Sequence, residues 1–268
     1  MRVKAWLGVG LTAAALFSAA FAPWLTAHDP LAADFTAFLK PPGTAGHPLG
    51  TDQLGRDLLA RVLHGARLAL FIGACTVLIT AVVGGLLGLL AGFFERWPST
   101  VLMRLADVQL SFPFILLALT INAIVGLGLR NIIISLSAAG WVIYARVVRG
   151  EVLAVKQRDF VHAAAALGVG RMRVLFRHVL PNVAPSIIVV ASLQFSQFIV
   201  AEAAISFLGF GVQPPTPAWG SMLSESRDFL YVAWWLAAFP GAALALTALG
   251  VNLLGDWLRD TLDPKLRV

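Results

Sequence analysis

Apolar residues in this chain come in long runs, and the charged residues are confined to the gaps between them. Charge-free windows cover residues 5–27, 68–94, 108–129, 131–145, 179–201, 203–224 and 229–255. A helix crossing a bilayer needs about 20 largely apolar residues, because a charge at its centre costs about 2.5–3.5 kcal/mol. Five of the windows are long and apolar enough to span. The window 203–224 holds Pro214, Pro215 and Pro217 with Gly209, Gly211 and Gly220, which predicts a loop, since such a run leaves backbone groups unpaired in lipid. The window 131–145 has 15 residues and spans only if its helix continues past Arg146 and Arg149, with both side chains reaching back to the interface. The pattern predicts an all-α integral membrane protein with six spans, the fourth resting on the shortest window.

Composition agrees: 59% of the 268 residues are hydrophobic and 13% charged, where a soluble domain is nearer half apolar and a quarter charged. A single cysteine, Cys75, excludes a disulfide framework and a cysteine-cluster metal site. No G-x-x-x-x-G-K-[ST], H-E-x-x-H or G-x-S-x-G run occurs, and His47, His64, His162 and His178 show no metal-ligand spacing. The net charge is +6, but the basic residues are scattered among apolar runs, unlike a nucleic-acid face.

With the N-terminus inside, 14 of the 20 Lys and Arg fall on the cytoplasmic side, including Arg96, Arg104, Lys265 and Arg267. Both termini are then cytoplasmic. The start imitates a cleavable signal peptide, yet its apolar run is long and Pro23 follows Ala20-Phe21-Ala22, so an uncleaved signal anchor is expected. Residues 1–67 are expected to hold this anchor and an outer loop, and residues 68–268 the five-helix transmembrane domain. Within the outer loop, a separate amphipathic helix is predicted from Thr51, capped by Asp52, with Arg56, Arg61 and Arg67 on its polar face. It would lie on the bilayer or dock an outer partner.

Span two carries Gly84, Gly88 and Gly92, a spacing for close helix packing that points to a neighbour within this chain. Arg104 and Asp107 stand one turn apart and predict a local ion pair. Pro113 predicts a kink in span three, where a helix could line a pathway. Glu202, near the outer end of span five, is expected either to pair with an outer-loop arginine or to meet substrate. Between spans four and five, the helix-forming run around Ala163 to Ala166 is broken at Gly168-Val169-Gly170, and a second short helix is expected from Arg171 to Leu180, ending at Pro181. Two such helices suit either a groove on another protein or a lipid interface.

His162-Ala163-Ala164, Gly168 and His178-Val179-Leu180-Pro181 resemble the "EAA" loop of ABC-importer permeases. Gly50-Thr51-Asp52-Gln53-Leu54-Gly55-Arg56-Asp57, Tyr144-Ala145-Arg146-Val147-Val148-Arg149-Gly150, the run from Ser206 to Pro217 and the run from Gly255 to Pro264 are similar to motifs of the dipeptide/oligopeptide/nickel class. Together they resemble the C-type permease of the peptide pair over about residues 47–264. The family pattern opens with Glu where this chain has His162, which removes a fixed negative charge.

The resemblance implies a non-catalytic, type I permease fold in the inner membrane of a prokaryote. It implies a heterodimer with a second homologous permease, two cytoplasmic ATPases that bind ATP and magnesium, and an extracytoplasmic binding protein. No cofactor or metal is expected in this chain. His162, Ala163, Ala164, Leu167, Gly168, Arg171, Leu180 and Pro181 would couple to an ATPase. Asp52, Arg56, Asp57, Gln213 and Trp219 are candidates for the binding-protein contact, and Asp107, Pro113 and Glu202 for the pathway. Dipeptides or oligopeptides are the expected substrate, with nickel or another peptide-like solute as the alternative. A different class, a self-sufficient secondary transporter, would use Asp107 and Glu202 as coupling acids.

Overall fold

The computed structural model describes residues 2–94 and 97–262. Arg96, Asp263, Pro264, Lys265 and Arg267 lie outside the described residues. Among the described residues, ten α-helices follow in order: α1 (Arg2–Leu25), α2 (Leu58–Phe94), α3 (Trp97–Leu110), α4 (Phe114–Val125), α5 (Leu129–Lys156), α6 (Asp159–Ala166), α7 (Arg171–Val174), α8 (Leu180–Phe207), α9 (Trp219–Glu225) and α10 (Trp235–Leu262). Five stretches of the described residues are long and apolar enough to cross a membrane, and α3 with α4 form a bent pair that would make a sixth crossing.

Helix α2 is the central post, packing against α5, α8 and α1. Its glycine stripe is filled by α5. A Cβ on Gly84 would lie 2.2 Å from the Trp141 carbonyl oxygen, and one on Gly88 would lie 2.5 Å from that of Ala145. Gly92 meets Val152 in the same way. The neighbour is thus within the chain, as the spacing predicts. Helix α1 runs antiparallel to α10: Gly8 abuts Leu253 and Leu254, while Gly250 abuts Leu11 and Thr12. The described starts and ends of the chain therefore lie at one end of the bundle, together with α6. Helix α9 lies at the opposite end.

Three expectations are corrected. The helix predicted from Thr51 is not separate: α2 begins at Leu58 and runs unbroken for 37 residues through position 67, where the outer segment was expected to end. Its cap is Asp57, whose Oδ2 accepts from the Ala60 amide at 2.8 Å. Asp52 instead closes the preceding turn by accepting from the amides of Leu54 and Arg56.

The fourth crossing is complete, because α5 continues through Arg146 and Arg149 to Lys156. The broken one is the third. Pro113 sits not inside a helix but at the junction where α3 and α4 meet at 97°. The pair still carries the chain from one end of the bundle to the other. Ser99, at the start of α3, donates to the Ala91 carbonyl near the end of α2, and Asn122 of α4 reaches the Phe210 carbonyl beyond the end of α8.

Pro181 does not end a helix. A π-turn over Leu175–Val179 joins α7 to α8, so Arg171–Phe207 is one helical run. The π-turn shifts the hydrogen-bond ladder, with the Leu180 amide donating to the Leu175 carbonyl. Asn182 Nδ2 donates to the His178 carbonyl at 2.7 Å beside the proline.

Candidate functional site

At the α6 end, one small apolar core ties the connecting loop to the bundle. Val161 and Ala164 of α6 are buried with Leu89 of α2, Val148, Val152 and Val155 of α5, and Val174, Leu175, Val179 and Val183 of the following run. The remaining face of α6 is free: His162 and Ala163 are exposed, and Leu167 is 84% exposed. Phe160, Met172 and Phe176 extend the apolar surface around it. Helix α6 ends where Gly168 adopts φ +76°, a backbone state that side chains with a Cβ avoid. The amides of Leu167, Gly168 and Val169 donate to the carbonyls of Ala163, Ala165 and Ala164, respectively, and close this turn. Arg171 and Pro181 are exposed and Leu180 is half-buried against the same core. The structure therefore groups the sequence-predicted loop residues on one projection, with Ala164 serving as its inner anchor.

At the α9 end the polar residues turn inward. Asp52 Oδ2 accepts from Arg56 Nε at 2.6 Å and also from the Arg61 guanidinium. Glu225, at the end of α9, accepts from Arg56 and Arg61 at 3.2 Å each and from Gln53 at 3.1 Å. Arg61 is only 1% exposed. Trp219 Nε1 donates to the Val62 carbonyl at 3.0 Å, its ring against Gly65, and Trp235 Nε1 donates to the Thr51 carbonyl at 3.2 Å. Asp52, Arg56, Asp57 and Trp219 are thus internal braces and present no surface to a partner, because each is buried. Gln213, half-buried, is the one of those five candidates at the surface. Glu225 was missed in the sequence, lying 164 residues from Arg61.

Other polar groups also clasp helices together. Glu202 is buried and accepts from Ser206 Oγ at 2.6 Å; no outer-loop arginine reaches it among the described residues. Ser206 Oγ in turn accepts from the Val212 amide at 3.3 Å, holding the turn after α8. Buried Asn122 binds the Phe210 carbonyl and accepts from Ser135 Oγ at 3.2 Å. Gln109 Nε2 donates to the Ala138 and Ala139 carbonyls at 3.1 and 2.8 Å, and its Oε1 accepts from Trp141 Nε1. Asp107 pairs with Arg146 of α5, correcting the expected pair with Arg104.

Beside α9, an open cavity of about 480 Å³ is lined by Asp29, His64 and Arg67 over Leu31, Leu68 and Phe71. In the adjoining segment, the Thr36 hydroxyl and amide both donate to Asp34 and hold its carboxyl below the ordinary carboxylate range.

A helical bundle whose polar side chains brace one crossing against another, with a bent apolar projection at one end, is a polytopic membrane subunit built to dock other proteins. The chain belongs to the family described as "Binding-protein-dependent transport system inner membrane component", which it matches over residues 84–268. It is the inner-membrane permease subunit of an ABC importer, a transport component that works with an ATPase and a substrate-binding protein. The self-sufficient secondary transporter is thereby set aside.

Among relatives, the chain is 47% identical over 257 residues to the di/tripeptide transport system permease protein DppC of Pseudomonas aeruginosa, covering 94% of this chain and 85% of that one. It is 43% identical over 257 residues to the dipeptide transport system permease protein DppC of Escherichia coli, covering 94% and 86%. It is 43% identical over 234 residues to the glutathione transport system permease protein GsiD of Pectobacterium atrosepticum, covering 87% and 77%.

Proposed function

We propose that this chain conducts dipeptides or oligopeptides across the membrane as one half of a permease heterodimer, driven by two cytoplasmic ATPases and loaded by an extracytoplasmic binding protein. ATP and magnesium are bound by the ATPases. The α6 end, with both chain termini, faces the cytoplasm.

The observation that carries the mechanism is the packing of α6. Its inner face shares a core with α5, α7 and α8, while its outer face is open. A push on the exposed residues His162, Ala163 and Leu167 therefore moves α6 with the ends of two crossings. A well-packed interior is not continuously deformable, so such a push shifts packed helices as bodies. The Gly168 turn sets the angle at which α6 stands from α7. The three named relatives are permeases of di/tripeptide, dipeptide and glutathione transport systems. The cavity beside α9 places Asp29 and Arg67 over an apolar floor, a charge pattern that suits a short zwitterionic peptide.

The test is co-purification from native membranes followed by uptake in proteoliposomes. Recovery of a second permease and an ATPase pair, with ATP-dependent uptake of labelled dipeptide and not of nickel, supports this reading. ATP-dependent uptake of nickel alone would overturn the substrate, and recovery of two copies of this chain would overturn the heterodimer.

A further inference from the structure

His28, His47 and Asp57 come from three separate stretches of the chain: the bend just after α1, the loop further on, and the cap of α2. One donor atom from each lies within 4.8 Å of the others. Separations of 19 and 10 positions carry no local motif, so sequence inspection passes them over. The fold makes the cluster. The two imidazole rings stand 4.8 Å apart, tilted by 38°, and His47 Nδ1 lies 2.9 Å from Asp57 Oδ1.

Asp57 differs from its neighbour in one respect. Buried Asp52 has two arginines beside it. Asp57 is equally buried, yet among the described residues no Lys or Arg reaches it; its two oxygens meet the Ala60 amide and His47. A buried carboxylate without a cation is costly unless positive charge comes from elsewhere. Both histidines are more accessible than the carboxylate, and His28 is exposed, so the cluster opens to solvent on the imidazole side.

We propose that His28, His47 and Asp57 form a binding site for a divalent transition cation of the zinc class. Two imidazoles and one carboxylate are the donors that zinc, cobalt and nickel accept, whereas calcium and magnesium require more oxygens. Zinc holds such ligands at about 2.0–2.2 Å, which places donors roughly 3.3 Å apart in a tetrahedron. The His47–Asp57 pair is already near that spacing, and His28, in the exposed bend after α1, supplies the remaining adjustment. Asp57 serves either as a direct ligand or by fixing the His47 ring through Nδ1, leaving Nε2 for the metal. The positions that these side chains do not fill stay open to water. A bound ion would fasten the end of α1 and the following loop to the head of α2. The site depends on the fold alone and not on which solute is carried.

The experiment uses the full chain in detergent with its co-purified permease partner, isolated through a tag without histidines and stripped with chelator. Titration with Co(II) is followed by visible ligand-field absorption, then displaced with Zn(II). One Co(II) per chain with tetrahedral-type bands is expected. His28→Ala and His47→Ala should each abolish the bands, and Asp57→Asn, which keeps an oxygen for the Ala60 amide, should weaken uptake about 10–100-fold. His178→Ala should leave binding unchanged. Zinc should raise the thermal midpoint of the wild type and not that of His28→Ala, a surface change that leaves the cap intact. Absence of bands in the wild type, or equal uptake in the His28→Ala/His47→Ala double variant, would overturn the site and leave His47–Asp57 as a brace alone.

Discussion

Asp107 of α3 and Arg146 of α5 form an ion pair of 2.6 Å between helices, although Arg104 stands one turn from Asp107 on the same helix. Both side chains are about half exposed. Arg146 lies ten residues before the end of α5, or about 15 Å along the helix. A charge pair at that level is best kept where protein or water can solvate it, not lipid. The face of α3 and α5 that carries the pair is accordingly one that meets protein or water.

A water-facing pair contributes only about 0–1 kcal/mol to stability. Asp107→Asn should therefore leave the thermal midpoint nearly unchanged while lowering the uptake rate several-fold. The exchange Asp107→Arg with Arg146→Asp should restore part of that rate. A large fall in midpoint with normal uptake per folded molecule would reassign the pair to bracing alone.

Replacing Gly168 with valine forces a β-branched residue into φ +76°, where even an ordinary residue loses about 1–2 kcal/mol. Expression and insertion should persist, while ATP hydrolysis continues without uptake. Gly168→Asn, which tolerates this conformation, should retain most transport. Normal uptake by the valine variant at normal expression would count against the coupling role.

His162 is exposed and free of the loop core. His162→Glu should consequently be tolerated and should hold or improve ATPase co-purification. Complete loss of assembly would show that the ATPase groove has changed to suit the histidine.

The two glycines Gly84 and Gly85 are adjacent but see different neighbours. A Cβ at Gly84 would strike the Trp141 carbonyl, whereas one at Gly85 meets Ile187 at 3.7 Å, an ordinary contact. Gly84→Ala should destabilise by about 1–3 kcal/mol through overpacking. Gly85→Ala should be neutral or slightly stabilising. Thermal unfolding in one detergent compares the two directly.

Arg61→Ala would leave buried Asp52 and half-buried Glu225 with Arg56 as their one remaining shared cation among the described residues. Breaking such a pair costs about 3–5 kcal/mol, so a large fall in thermal midpoint is expected. The double variant Arg61→Ala/Asp52→Ala should recover part of it. Equal midpoints for the single and double variants would deny the coupling.

The crossings were legible because desolvation of charge is a local property: a charge-free run of sufficient length is apolar wherever it folds. The glycine stripe was legible for a similar reason, since period-four small residues offer a close-packing face whatever the partner. Arg61 was misread for the opposite reason. A charged residue at helical spacing reads as surface unless its counter-ion is known, and Glu225 enters from a distant helix. Glu202 was expected to pair with an outer-loop arginine or to meet substrate; its hydrogen-bond partner, Ser206, stands one turn away on the same helix. The bend at Pro113 was expected as a kink; its size depends on how Gln109 and Asn122 anchor α3 and α4 separately against α5 and the turn after α8.

Helix α2 has a mechanical consequence of its own. At 37 residues it is about 55 Å long, well beyond the ~30 Å hydrocarbon layer. Its head is clamped by the arginine–carboxylate network, and its foot carries Leu89 in the core beneath α6. It is a lever arm with both ends loaded: for a rod of this length, a tilt of about 10° displaces one end by roughly 10 Å relative to the other. A small rotation of α2 would thus carry motion at one membrane face through to the opposite face within a single rigid element.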